Sequence, residues 1–327
     1  MAPIRLETVD AVQITTLVDN YFDTLMPDQG PAKRAALRGP SGPRVANPLL
    51  EEGSGPDMPR AEHGFSALLT VERNGRQHTI LFDTGVSPDG MVENMRRLQL
   101  PAKEIETVVL SHGHFDHTMG LEGLQRELGR SGLPLVLHPQ FWNRRRLVIE
   151  GREPIELPTT SKPALRGAGF EIVEERQPSF LLDGALLITG EVDRTTDFEI
   201  GMPMQQAFKH GAWEPDTQTL DDQAIILHLR DKGLLVLTGC GHAGIVNIVR
   251  YARKLTGIEP IYAIMGGFHL GGRVWEPTIA PTVAALAWME PQVVVPAHCT
   301  GWRATHALAS ALPEAFIQNS VGTRFEL

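Results

Sequence analysis

Short apolar runs alternate along this chain with stretches in which apolar residues recur every three or four positions. The first pattern is typical of β-strands and the second of amphipathic helices. Strands are predicted at 12–18, 66–71, 78–82, 107–110, 133–137, 170–173, 180–182, 185–189, 224–229, 234–237, 261–264 and 293–295. Helices are predicted at 89–99, 121–128, 243–255, 279–289 and 303–312. Strands and helices mixed in this order favour a layered α/β domain.

Two hairpins divide the pattern into halves that resemble each other. Asn74-Gly75 lies between two of the strands, and Asn-Gly in that position is the strongest short-range hairpin signal. Asp231-Lys232-Gly233 marks the turn of the second hairpin. In each half the hairpin is followed by a strand that ends in a polar cluster, and then by a helix.

Residues 27–60 break the pattern, because they are rich in proline and glycine and show no periodicity. This stretch is longer than an ordinary connection. We interpret it either as a disordered insertion or as a loop that covers a site. It is not a domain linker, since the one short strand before it cannot form a domain. The prediction is a single domain over 1–327 with an insertion at about 27–60, and 193–223 is interpreted as a polar loop.

Charge and composition narrow the classes of partner. The chain has 327 residues, 42% of them apolar and 21% charged, as in an ordinary globular protein. Its formal charge of −9 disfavours polyanions, so no nucleic-acid partner is expected. The one obvious basic run, Arg144-Arg145-Arg146, is interpreted as the solvated face of a helix.

The cysteines and the apolar runs bear on location. Cys240 and Cys299 are too few for a disulfide framework in a chain of this length. No run reaches 18 apolar residues and the N-terminus has no apolar leader, so no membrane contact is expected. We therefore expect a cytoplasmic protein with both thiols reduced.

The histidines are not evenly distributed. Of the 12 in the chain, His112, His114 and His117 fall within six residues, together with Asp116. They follow an apolar strand directly, and Gly113 lies in the turn. Neutral imidazole and carboxylate are the usual ligands of zinc, iron and manganese. Four potential donors at the end of a rigid strand indicate a metal site.

Two other strand ends carry similar residues. The strand 234–237 runs into a glycine-flanked turn with Cys240 and His242, and the strand 293–295 runs into His298. Either histidine alone would be interpreted as structural. Together with 112–117 they indicate a rim of ligands, since sheet proteins place their sites at such strand ends.

These residues carry a resemblance to a known family. His112-Gly113-His114-Phe115-Asp116-His117 matches the H-x-H-x-D-H signature of the metallo-β-lactamase superfamily, and 80–85 (ILFDTG) resembles its first motif. The resemblance extends from about residue 12 to 327. The segments 62–64, 238–247, 266–270 and 296–301 resemble the subgroup named for dihydropterin-ribofuranosylaminobenzene phosphate synthase. It implies a four-layer αββα sandwich with a metal site at one edge of the two sheets.

The resemblance also implies a ligand set. His112 and His114 would bind a first metal ion, with His242 as the best candidate for its third ligand. A second metal ion would be bound by three other residues, Asp116, His117 and His298. Two divalent ions are expected, zinc first, with manganese or iron as alternatives. Asp116, His112 and His114 are also the expected catalytic residues, Asp116 orienting the nucleophile.

Two positions depart from the common superfamily pattern. Asp221-Asp222-Gln223 stands where many members have a histidine, and Cys240 stands near their bridging aspartate. Cys240 is either a ligand or a small buried residue beside the site, and we favour the second. Asp222 is either a possible ligand or part of the pocket. Asp83 is expected to accept the second N–H of a ligand histidine, which fixes its tautomer.

The substrate pocket is expected to include His63, His269 and Arg273. Arg194 and Lys209 also lie in loops near the expected site and, with Arg273, could meet a phosphate or carboxylate. The remaining histidines are interpreted as structural or exposed: His78, His138, His210, His228 and His306.

The predicted function is hydrolysis of a small ester or phosphoester by a hydroxide formed at a two-metal site. One alternative is a synthase acting on a pterin and a ribosyl phosphate. Another is a metal-bearing binding or sensor protein with little turnover. A nuclease of the same fold is disfavoured by the acidic charge. The expected partner is a small molecule, which could be anionic, and a homodimer is left open.

Overall fold

The computed structural model describes residues 3–35, 42–129 and 131–327. Its first twelve strands are β1 (Thr8–Val9), β2 (Ala11–Val18), β3 (Ala32–Lys33), β4 (Arg44–Ala46), β5 (Ser54–Pro56), β6 (Ser66–Arg73), β7 (Arg76–Phe82), β8 (Thr107–Val109), β9 (Leu133–Leu137), β10 (Arg145–Leu147), β11 (Ile155–Glu156) and β12 (Phe170–Glu174). The later strands are β13 (Ser179–Leu181), β14 (Leu186–Ile188), β15 (Gln205–Lys209), β16 (Ala212–Pro215), β17 (Ala224–Leu229), β18 (Gly233–Thr238), β19 (Ile261–Gly267), β20 (Val293–Ala297) and β21 (Arg324–Glu326). The α-helices are α1 (Gly90–Leu98), α2 (Leu121–Leu128), α3 (Lys162–Gly167), α4 (Ile245–Thr256), α5 (Glu276–Trp288) and α6 (Trp302–Ala311).

Two large sheets form the centre of the fold. The first has the strand order β12-β9-β8-β7-β6-β2-β21-β3. The second has the order β13-β14-β17-β18-β19-β20, and β1 pairs with β17 beside this path. Strands β7, β8 and β9 run parallel to one another, as do β18, β19 and β20. Parallel neighbours present their carboxyl ends at the same edge of a sheet.

The side chains alternate between two cores on each sheet. Ile80 and Phe82 of β7 pack between the sheets, while Leu81 packs against the helix side with Met91 and Leu124. Strand β18 behaves likewise, with Leu235 in the inter-sheet core and Val236 packed with α4, α5 and α6. Because both faces are buried there, the segments Ile80–Phe82 of β7 and Leu234–Leu237 of β18 are continuously apolar rather than alternating. The predicted four-layer αββα sandwich is confirmed.

Most predicted elements lie within one to three residues of the observed ones. The observed elements that were not predicted are short strands and the six-residue helix α3. The predicted polar loop 193–223 contains β15 and β16, which form a separate four-stranded sheet in the order β11-β10-β15-β16. The interpretation of Arg144-Arg145-Arg146 as a solvated helix face is wrong. Arg145 and Arg146 lie on β10, Arg144 directly precedes that strand, and Arg145 is buried.

The Pro/Gly-rich stretch has local structure of its own. Strand β3 pairs with β21 at the rim of the first sheet, and β4 pairs with β5 as a small hairpin. Residues 36–41 of the predicted insertion lie outside the described residues. Within the described ranges, none of the helices is both long and apolar enough to cross a membrane.

Candidate metal centre

The histidine-rich segment lies where the first sheet meets the second. The chain leaves β8 at Val109, and a short 3₁₀ turn covers Phe115–His117. Gln223, just before β17, donates from its side chain to the Leu110 carbonyl at 2.9 Å and from its backbone to Ser111 at 3.0 Å. These bonds fix the segment against the neighbouring sheet.

Gly113 is required by close packing in this turn. A Cβ there would collide with the carbonyl oxygen of Phe141 and lie 3.0 Å from the Arg145 guanidinium. The Gly113 N–H donates to Asp221 at 2.9 Å. The hydrogen bond to Asp221 therefore fixes the turn, and the side chains of His112 and His114 both face His242.

Three imidazoles form the first group of donors. His242 Nε2 lies 3.2 Å from His112 Nε2 and 3.1 Å from His114 Nδ1. All three rings are buried, and their donor atoms lie within 4.8 Å of one another. His242 follows β18 of the second sheet, so both sheets contribute to this group.

The hydrogen-bond network assigns the tautomers of two of these rings, His112 and His114. Ser111 Oγ donates to Asp83 at 2.6 Å, so it accepts from His112 Nδ1 at 2.9 Å. His114 Nε2 donates to Gln205 Oε1 at 2.6 Å. The free lone pairs are therefore on His112 Nε2 and His114 Nδ1, the two atoms that face His242. A metal-binding histidine is typically oriented in this way through its other nitrogen.

A carboxylate and three imidazoles form the second group. Asp116 Oδ2 lies 3.3 Å from His298 Nε2 and 3.9 Å from His117 Nε2. His117 Nδ1 donates to Asp83 Oδ2 at 2.6 Å, which leaves Nε2 free to bind. His63 Nε2 lies 3.7 Å from the same Asp116 oxygen.

The electrostatics fit a cation. Burial, followed by the neighbouring imidazoles, lowers the pKa of His112 well below its ordinary value, and burial lowers the pKa of His114 to about 4. Burial also lowers the pKa of His242 well below the ordinary range. Burial alone would lower the pKa of His117, but Asp83 and Asp116 outweigh it and raise that pKa to about 9. Burial would raise the pKa of Asp116, but the imidazoles around it hold that pKa below its ordinary value.

These observations test whether a metal would fit. The neutral imidazoles of His112, His114 and His242, close to the ionised Asp116, are donors that zinc, iron and manganese take. Three such rings in contact would otherwise leave lone pairs facing one another in a buried space. A metal ion bound at the second group would displace the proton that the raised pKa places on His117. The residues at this edge are therefore suited to hold divalent metal.

Cys240 and Asp222 differ in their relation to the centre. Cys240 Sγ lies 3.2 Å from His117 Nε2 and belongs to a group of candidate donors with His112. Burial raises the pKa of the Cys240 thiol. Asp222 Oδ2 instead accepts from the Ala243 N–H at 2.8 Å and so holds the turn that carries His242. Burial raises the pKa of Asp222 to about 6.

The three residues expected in the substrate pocket lie at different depths. The His63 side chain is 67% exposed, and its ring centre is 4.9 Å from that of His298. The ring of His269 is 4.2 Å from that of His242. Arg273 is exposed in the loop before α5. His269 and Arg273 follow the carboxyl end of β19, and His63 precedes β6.

Arg194 and Lys209 already have partners within the protein. Arg194 donates to the carbonyl oxygens of His242, at 2.8 Å, and of Gln218. Lys209 pairs with Asp216 at 2.8 Å. Their positive charges support the loops around the centre, so Arg273 is the better candidate of the three to meet an anionic substrate.

Two supporting residues were not predicted, Arg145 and Gln205. Arg145 donates to Asp216 at 2.9 Å and to both oxygens of Asp221, one of them at 3.1 Å. Gln205 also donates to Asp216, at 3.2 Å. No feature of the sequence distinguishes Gln205, and Arg145 cannot be told apart from its neighbours in the basic run 144–146.

Gln205→Leu is expected to weaken metal binding by about 10–100-fold, because His114 loses the acceptor that fixes its tautomer. Isothermal titration of metal-free protein with zinc measures this. Gln206→Leu is the matched control, since the neighbouring side chain bonds Arg146 at 2.9 Å on the other face of β15. Equal affinities for the two variants would show that Gln205 does not orient His114.

Asp83→Asn is expected to lower affinity at the second group of donors by a similar factor, about 10–100-fold. The amide can present N–H to His117 and so favour the tautomer whose Nε2 is protonated. The Asp83 backbone has φ +56°, which asparagine tolerates, so the turn should be kept. Competition with a chelator of known affinity measures the change, and an unaltered second binding step would contradict it.

The chain belongs to the metallo-β-lactamase superfamily, whose family model matches residues 62–295. Among its relatives is 7,8-dihydropterin-6-methyl-4-(beta-D-ribofuranosyl)-aminobenzene-5'-phosphate synthase of Methanocaldococcus jannaschii. It is 32% identical over 276 residues, which cover 82% of this chain and 91% of that protein. An uncharacterized protein of the same organism is 31% identical over 263 residues, covering 80% and 92%.

A solved structure shares the fold. Tm1679, described as a metal-dependent hydrolase of the β-lactamase superfamily, superposes with a TM-score of 0.70 at 23% identity, over 97% of this chain and 99% of that one. The family model and the M. jannaschii relative confirm the predicted family and its subgroup resemblance.

Proposed function

We propose that this protein is a metal-dependent hydrolase that cleaves a small ester or phosphoester at a centre of two divalent ions, zinc being expected. The observation that carries the proposal is the convergence of two donor groups, one of three imidazoles and one around Asp116. Outer hydrogen bonds orient three of the rings, His112, His114 and His117. Metal ions held there supply a Lewis acid and lower the pKa of water towards neutrality.

The surrounding residues support this chemistry. Asp116 stays ionised at neutral pH, since its pKa lies below the ordinary value, and its carboxylate can accept a hydrogen bond from an attacking water. His63 is mostly exposed and its Nε2 lies 3.7 Å from Asp116 Oδ2, where the neutral ring can accept a proton from an attacking water. Burial lowers the pKa of His63, which keeps the ring neutral at pH 7.

An anionic substrate is consistent with Arg273. Arg273 is exposed in the loop between His269 and α5, and arginine binds phosphate and carboxylate in two-point fashion. A small substrate also suits the overall acidic charge of −9, which would repel a long polyanion.

The test is a substrate screen with metal-free and reconstituted protein. Protein stripped with a chelator is reloaded with zinc, manganese or iron(II) and assayed on phosphomonoesters, phosphodiesters, carboxylic esters, lactones and thioesters. The proposal expects turnover of at least one ester class in the reloaded protein alone. Absence of turnover in every class would favour a binding or sensor protein.

A synthase is the second candidate, because the similarity to the named M. jannaschii enzyme extends over 82% of this chain. A direct assay for the product in that relative's name decides between the two. Product formation without hydrolysis of any ester in the screen would replace the hydrolase proposal.

A further inference from the structure

Three neighbouring parallel strands of the second sheet each end in a potential metal donor. Cys240 follows β18, His269 follows β19 and Cys299 follows β20. The two sulfur atoms and one ring nitrogen all lie within 4.8 Å of one another. His269 and Cys299 belong to neither donor group of the two-metal centre, whereas Cys240 also lies among candidate donors with His112 and His117.

His269 lacks a partner that its position demands. Both of its ring nitrogens are buried, and neither has a hydrogen-bond partner among the described residues. A buried polar group left in that state destabilises the fold. The faces of the ring are occupied, with His242 at 4.2 Å and Trp275 at 4.5 Å between ring centres. The ring therefore lacks a hydrogen-bond or metal partner for its nitrogens.

Gly267 leaves room for the donors to converge. A Cβ at this position would lie 2.8 Å from Cys299 Sγ and 3.1 Å from Cys240 Cα. Any other residue would therefore push the two cysteines apart. Cys299 Sγ also lies 3.2 Å from the carbonyl oxygen of Cys240, which brings the two strand ends together.

We propose that Cys240, His269 and Cys299 form a third metal site, which takes a borderline or soft ion such as zinc. Two thiolates and one imidazole are softer donors than the carboxylate-bearing centre beside them. Zinc bonds of about 2.3 Å to sulfur and about 2.0 Å to nitrogen place tetrahedral donors roughly 3.5–3.8 Å apart. Small side-chain rotations from the observed separations achieve this, and both thiols release their protons to solvent on binding.

The site adjoins the dinuclear centre through Cys240. Its sulfur lies 3.2 Å from His117 Nε2, so a thiolate there faces both an ion of the cluster and the second group of donors. Three protein donors leave a fourth position open, as in zinc sites that exchange a ligand.

Cobalt(II) titration of the metal-free protein under anaerobic conditions tests the proposal. The chain has two cysteines, so any thiolate-to-cobalt charge-transfer absorption must come from Cys240 or Cys299. We expect three bound equivalents per chain, with the intensity of two thiolates on one ion. Cys299→Ser is expected to bind two equivalents, and the exposed-residue control His210→Ala should bind three.

Two results would overturn it. One is saturation at two equivalents without a charge-transfer band. The other is a band that saturates with the first two equivalents and survives in Cys299→Ser, because Cys240 would then belong to the dinuclear centre. The titration of the wild-type protein alone shows how many equivalents bind and whether a charge-transfer band forms, so it tests the proposal even if a variant fails to fold. Neither result depends on hydrolysis, so the inference and the proposed function can fail separately.

Discussion

His114→Ala is expected to lose bound metal and hydrolytic activity together. His114 Nδ1 faces His242 at 3.1 Å, and its removal leaves the first group with two donors. Loss of a residue that merely orients a ligand costs about 10–100-fold, so removal of the ligand itself should reduce turnover by more, about 10³-fold. Elemental analysis and the substrate screen, run on the same preparation, measure both effects.

The control for this variant is His210→Ala. His210 is also a histidine, its side chain is 87% exposed, and it lies away from the donor groups. It should keep metal content and activity at the wild-type level. Full turnover by His114→Ala with a stoichiometric metal content would show that the ligand assignment is wrong.

Arg145→Met is expected to lower the free energy of unfolding by about 3–5 kcal/mol, the usual cost of removing one partner of a buried ion pair. Its side chain is 2% exposed and bonds Asp216 and Asp221. Without the guanidinium, Asp221 still accepts the hydrogen bond from the Gly113 N–H but becomes an uncompensated buried charge. Metal affinity should fall as well, since Asp221 holds the turn between His112 and His114.

Urea unfolding of the metal-free protein measures the stability change separately from metal binding. Arg144→Met is the matched control, because its neighbouring guanidinium pairs with Glu156 on the surface, where both side chains are more than half exposed. Such a pair contributes about 0–1 kcal/mol. Equal midpoints for the two variants would contradict the structural role given to Arg145.

The sequence allowed the convergence of these candidate donors to be predicted because most of them are marked locally. His112, His114, Asp116 and His117 are contiguous, and the signal depends on spacing alone. His242 could be added because it follows an apolar strand that must be buried. The mixture of strands and helices predicted a layered α/β domain, whereas the four-layer order was implied by the family resemblance.

The supporting residues could not be predicted because their partners are distant in sequence. Gln205 bonds His114 across 91 positions, and Arg145 bonds Asp221 across 76. Both lie on short strands of the small sheet, in stretches too brief for a periodic pattern to emerge. Burial of Arg145 depends on two carboxylates that come together only in the folded chain.

Anomalous diffraction from crystals of the zinc-loaded protein tests the central claim most directly. Data collected at the zinc edge should show one peak bounded by His112, His114 and His242. A second peak should be bounded by Asp116, His117 and His298, with ligand distances of about 2.0–2.2 Å for both. Loaded crystals with no peak within bonding distance of either group would contradict the assignment of this edge as a dinuclear metal centre.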